Sequence, residues 1–122
     1  ILETKYNNYK TYDYIPASNI GPIFTQAEII ISRAGANTTQ EIIALNKKSI
    51  LIPLPFAQQN EQLLNAQYVQ KILPKRTIII PQIELNHHYL LQSIKKLSLL
   101  PKIPFKNLKP NLKLLNLIHE II

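Results

Sequence analysis

Two short stretches with unbroken apolar interiors, residues 28–32 (Glu-Ile-Ile-Ile-Ser) and residues 49–54 (Ser-Ile-Leu-Ile-Pro-Leu), constrain this chain more than any other feature. Apolar side chains at every position, rather than every second one, belong to strands covered on both faces, as in a parallel sheet. Parallel neighbours need a crossover between them. The intervening stretch supplies one: Ala34, Gly35, Ala36 and Asn37 suit a tight loop, and Thr38-Thr39-Gln40-Glu41 has the form of a capping box, with Thr at the cap and Glu three residues on. The helix then runs to about Leu45, where Asn46, Lys47 and Lys48 suit its C-terminus. Strand, helix and strand within roughly 30 residues make one βαβ unit.

The same reading extends along the chain. Leu63, Leu64, Ala66, Val69 and Ile72 predict a helix over 59–73 that ends before Pro74, and a third strand follows at 77–80. Asn86 opens a helix over 85–97, and Pro110 sits near the start of a last amphipathic helix reaching Ile122. Residues 101–110 form a Pro- and Lys-rich connector. Ahead of the first unit, residues 12–15 read as a short strand. Pro16 and Gly21-Pro22 break regular structure, and residues 23–27 form a short helix or turn. The sum is an α/β fold with a mainly parallel sheet and right-handed crossovers.

With 122 residues, 46% of them hydrophobic and 17% charged, the chain has one domain's worth of core material. The absence of Cys excludes disulfides and thiolate metal sites, and three scattered His leave little for a metal. A net charge of +7 raises the question of a polyanion partner. The cations fall in small groups at Lys47-Lys48, at Lys71 to Arg76, and from Lys95 to Lys113, which predicts solvated faces rather than a groove, and no nucleic-acid recognition motif accompanies them. Tyr6, Tyr9, Tyr12 and Tyr14 invite a base-stacking reading, but their spacing fits core and edge packing better. No apolar run approaches the roughly 18 residues of a membrane span, and the first residues do not resemble a signal peptide.

Ligands of open α/β sheets bind beyond the carboxyl ends of the strands. Two loops fall there, 32–37 and 53–62. The first leads into a helix N-terminus, whose free amides and positive dipole end favour an anion such as a phosphate, with Thr38 and Thr39 hydroxyls as further donors. Glu41 either closes the capping box or accepts both hydroxyls of a ribose, and the two roles compete for one side chain. The second loop is rich in amides, which suit sugar hydroxyls, and Gln62 and Asn65 share a helix face.

Taken together, Ser32-Arg33-Ala34-Gly35-Ala36-Asn37-Thr38-Thr39-Gln40-Glu41, the strand Ile50-Leu51-Ile52-Pro53-Leu54-Pro55, and Glu61-Gln62-Leu63-Leu64-Asn65-Ala66 closely resemble the nucleotide-sugar domain of the bacterial MurG family. These are UDP-N-acetylglucosamine (UDP-GlcNAc) transferases of glycosyltransferase family 28, with the GT-B architecture, that convert lipid I to lipid II in peptidoglycan synthesis. The resemblance covers about residues 14–97. It implies a Rossmann-like parallel sheet with flanking helices, residues 1–122 being part of the UDP-sugar-binding C-terminal domain and 98–122 a helical extension. It further implies an inverting, metal-independent transfer in which UDP-GlcNAc is a substrate and no cofactor is needed.

By the same resemblance Glu41 takes the ribose hydroxyls, while Thr38 and the backbone of Ala34, Gly35 and Ala36 approach the diphosphate. Gln62 binds GlcNAc hydroxyls, Asn65 supports that loop, and Ile15 lies against the uracil. Arg33 is either a phosphate ligand or a packing and ion-pairing residue. Glu61 departs from the family, which has an amide there. The family's Gly-rich phosphate loop and N-terminal acceptor domain are not found, and His87, His88 and His119 read as surface or packing residues, so no catalytic base is assigned in this chain. The implied partner is a lipid-linked acceptor, reached through an N-terminal domain or a second chain at the cytoplasmic face of the cell membrane, with this chain inactive alone. A non-catalytic or split-subunit UDP-sugar-binding module is the alternative.

Overall fold

The computed structural model describes residues 6–56 and 60–102. Helix α1 (Ala17–Gln26) leads into strand β1 (Ile29–Ser32), α2 (Ala36–Ala44), β2 (Lys48–Leu51), α3 (Glu61–Ile72), β3 (Thr77–Ile79), a 3-10 turn (Gln82–Glu84) and α4 (His87–Ser98). The three strands form a parallel sheet in the order β1-β2-β3, with Ile31, Ile50 and Ile78 in one row and Ser32, Leu51 and Ile79 in the next. Successive side chains point to opposite faces, so this register builds two cores.

On one face Ile30, Leu51 and Ile79 pack with Phe24, Ile42, Ala66 and Val69 from α1, α2 and α3. On the other, Ile50, Ile52, Ile78 and Ile80 meet Tyr89, Ile94 and Leu97 from α4. The sheet is thus covered by helices on both sides, the three-layer arrangement expected of an α/β chain. Central β2 is buried at every position. Strand β1 corrects the expectation of two covered faces: it is the sheet's edge among the described residues, and although Ile29 packs under α4, Ile31 is 44% exposed.

Four further expectations are corrected. Residues 12–15 form no strand and pair with no ladder among the described residues; Tyr12 and Tyr14 are exposed rather than packed. Gly21 and Pro22 lie inside α1 instead of breaking it. Pro16 stands at the N-cap with φ −56°, and Pro22 forgoes a backbone bond inside the helix while Phe24, two residues on, packs against the core. The capping box does not form: α2 begins three residues earlier than expected, with Gly35 at the N-cap, no side-chain cap, and the Thr39 hydroxyl donating back to Gly35 and Ala36 carbonyls at 2.9 and 3.0 Å. At its other end α2 stops as expected, for Asn46 adopts φ 52° while Asn46 and Lys47 N–H groups bond Ile43 and Ile42 carbonyls.

Lys47 and Lys48 are the fourth correction, being structural rather than solvated. Lys47 Nζ donates to Thr25 and Ala27 carbonyls at 2.7 and 2.8 Å, closing the C-terminal end of α1. Burial, and secondarily the Arg76 charge, lowers its pKa. Lys48 is only 1% exposed; its Nζ donates to the Leu100 carbonyl at 2.7 Å and lies 3.7 Å from Glu28. Helix α4 starts as expected, with Asn86 Oδ1 accepting from Tyr89 N–H at 2.8 Å. The expected helix at 110–122 and most of the connector at 101–110 lie outside the described residues.

Candidate functional site

Beyond the carboxyl ends of β1 and β2 the backbone ladder stops at one bond, Ile52 N–H to Ser32 C=O at 2.9 Å. Side chains continue the connection. Arg33 Nη1 donates to the Ile52 carbonyl at 3.3 Å, and Asn65 Nδ2 donates to the Ala34 carbonyl at 3.0 Å. Gln62 Oε1 accepts from Leu54 N–H at 2.8 Å and from Ala34 N–H at 3.3 Å. Four candidate residues, Arg33, Ala34, Gln62 and Asn65, are therefore drawn into one network from segments about 30 residues apart. Ala34, fully buried, has both its N–H and its C=O engaged inside the chain.

The next residues present the opposite condition. Ala36, Asn37 and Thr38 form the first turn of α2, where N–H groups have no intrahelical acceptor, and no other acceptor among the described residues meets them. One turn further, Glu41 is 7% exposed and, among the described residues, caps nothing and pairs with no cation. Burial alone raises its pKa above the ordinary carboxylate value. Thr38 and Glu41, three residues apart, lie on one face of the helix. The local chemistry is a row of free amide donors followed by a half-buried hydroxyl and a carboxylate with two open acceptor oxygens. That set fits a ligand joining a phosphate group to a vicinal diol.

Asn60, in the left-handed conformation at φ 57°, starts α3 and sets the direction from which Gln62 and Asn65 reach the loops. Sequence reasoning missed its role, and also the parts played by Leu54 N–H and Ile52 C=O; an Asn directly before a helix is a weak signal for the first, and backbone groups carry none. Ile15 is half-buried just ahead of α1, apart in the chain from both loops. Residues 57–59 of the second loop lie outside the described set. His87 and His88 are exposed at the start of α4. Among the described residues no three His, Asp or Glu side chains cluster as metal ligands, and no helix is long and apolar enough to cross a membrane.

Comparison with known proteins adds ancestry to this geometry. Residues 2–120 match the glycosyltransferase family 28 C-terminal domain. A relative from Clostridium perfringens, named UDP-N-acetylglucosamine–N-acetylmuramyl-(pentapeptide) pyrophosphoryl-undecaprenol N-acetylglucosamine transferase, is 41% identical over 93 residues, covering 75% of this chain and 25% of its own length. A protein of the same name from Prochlorococcus marinus subsp. pastoris is 30% identical over 122 residues, 100% of this chain and 32% of its own. Another, from Thermodesulfovibrio yellowstonii, is 38% identical over 93 residues, 75% and 23% of the two chains. The chain thus spans a quarter to a third of the length of these relatives. No solved structure matches it.

Proposed function

Because the chain belongs to the family of glycosyltransferase family 28 C-terminal domains, we propose that it is the donor-binding part of an inverting transferase that moves GlcNAc from UDP-GlcNAc to lipid I, forming lipid II in peptidoglycan synthesis. The observation that carries this reading is Glu41, a residue 7% exposed whose carboxylate has no hydrogen-bond or ion-pair partner among the described residues, one turn into a helix whose first amides are likewise unmet there. Burial raises its pKa, which marks a carboxylate partly withdrawn from water, and a ligand that bonds to it offsets that desolvation.

In this reading the ionised Glu41 accepts both ribose hydroxyls, and the amides of residues 35–38 with the Thr38 hydroxyl face the diphosphate. As the sugar–phosphate bond breaks, negative charge grows on the departing UDP. Preoriented amides at a helix N-terminus stabilise that charge more than the ground state, which lowers the barrier without a metal. Ile15 lies against the uracil, and Arg33, exposed and tethered among the described residues at the Ile52 carbonyl, swings to a phosphate. Activation of the acceptor hydroxyl falls to residues outside those described. The relatives' names specify an undecaprenol-linked acceptor, and on that basis the whole protein works at the inner face of the cell membrane.

Titration of UDP-GlcNAc into the chain, followed by NMR beside UDP-glucose and a Glu41→Ala variant, tests this. Saturable shifts at residues 35–41 that vanish in the variant support the assignment. A folded chain showing no shifts at millimolar ligand overturns it.

A further inference from the structure

The resemblance gives Gln62 to the sugar, yet its carbonyl oxygen is already engaged. Both groups facing Oε1, Leu54 N and Ala34 N, are backbone donors, so the orientation of the amide is dictated by its neighbours and both acceptor lone pairs are used. The backbone ladder between the two loops has ended at Ile52. Past that point Gln62 bridges them as a further rung would, and Asn65, three residues on along α3, holds the other side of the same Ala34.

We propose that Gln62 is a positioning residue: through Oε1 it locks the loop entering α2 onto the loop leaving β2, fixing where the free amides of α2 stand, and it offers the donor sugar only its Nε2 hydrogens. The second half rests on the donor-site reading above; the lock itself does not. Two consequences follow. Any sugar oxygen that meets Gln62 accepts from it, and losing the lock weakens binding of UDP even with no sugar attached. A residue that touched only GlcNAc would leave UDP affinity unchanged.

Three variants separate these roles. Gln62→Met keeps the length of the side chain and removes the acceptor, Gln62→Glu keeps the acceptor and removes the donors, and Leu54→Pro deletes the 2.8 Å bond from its other end at an exposed residue. Without ligand, amide hydrogen exchange at Ala34 and Leu54 is expected to speed up about tenfold or more in Gln62→Met and to return to the wild-type rate in Gln62→Glu. UDP affinity is expected to fall about tenfold in both Gln62→Met and Leu54→Pro. Wild-type exchange at both amides in Gln62→Met, or wild-type UDP affinity in both variants, overturns the proposal. If the exchange pattern holds but wild-type chain binds no UDP, the lock stands and the donor-site reading is what fails.

Discussion

The two ends of the sheet treat their polar groups in different ways. At the amino end four cations have partners. Lys47 closes α1, Lys48 holds the Leu100 carbonyl, Arg76 bonds Asn46 and Pro101 carbonyls at 3.0 and 3.4 Å, and Lys102 lies 3.5 Å from Glu28. Helix C-terminal carbonyls converge there, and their dipoles favour positive charge. At the carboxyl end the first amides of α2, the Thr38 hydroxyl and the Glu41 carboxylate have no partners among the described residues. Most polar groups that serve the fold are satisfied within it, Ser49 Oγ and Thr77 Oγ1 excepted, whereas the open groups of the carboxyl end gather at the start of one helix.

The sharpest break of that comparison is a pair of substitutions, one at each end. Glu41→Ala should weaken UDP-GlcNAc binding about a hundredfold, since charge-assisted hydrogen bonds are worth about 1.5–3 kcal/mol each, while leaving the melting temperature unchanged or raised. Lys48→Ala should do the reverse: a loss of about 2 kcal/mol in urea unfolding from the orphaned Leu100 carbonyl and the emptied space, with donor affinity of the folded chain retained. Loss of donor affinity in Lys48→Ala would remove the distinction between the two ends.

Smaller effects sharpen it. The native pKa of Glu41 lies above its unfolded value, so its contribution is most favourable below the unfolded pKa and is lost as pH rises through the native one. Glu41→Gln should therefore be more stable than wild type at pH 7, with the gap closing as the pH is lowered into the carboxylate range. Donor affinity should decline over the same fall in pH, because the protonated carboxyl gives up one acceptor role. Smallest of all, Ser49 Oγ and Thr77 Oγ1, side by side in register, are buried without hydrogen-bond partners. Thr77→Val should be neutral or stabilise by up to about 1 kcal/mol in thermal unfolding, because it replaces an unsatisfied hydroxyl with a methyl group of the same shape.

The order of strands and helices was legible because it rests on runs and punctuation that act locally: the apolar stretches of β1 and β2, the Asn46 stop, the Asn86 start. The failures share a cause. Thr38-Thr39-Gln40-Glu41 carries the capping-box pattern, but α2 starts at Ala36, where the loop from β1 delivers the chain, and a local motif has no information about that. Lys47-Lys48 reads as solvated charge because the carbonyls that take it come from residues 25–27 and 100.

By itself, then, the sequence determined the α/β class, the two loops beyond the carboxyl ends of the strands and the candidacy of Glu41, since each depends on residue type and spacing along a short stretch. Tertiary structure alone decided that Glu41 is buried and without a partner among the described residues, that Gln62 spends its carbonyl oxygen on two backbone amides, and which cations are structural. Those outcomes depend on which groups from distant segments arrive within about 3 Å of each other, and hydrogen bonding at that range is settled by packing rather than by neighbours in the chain.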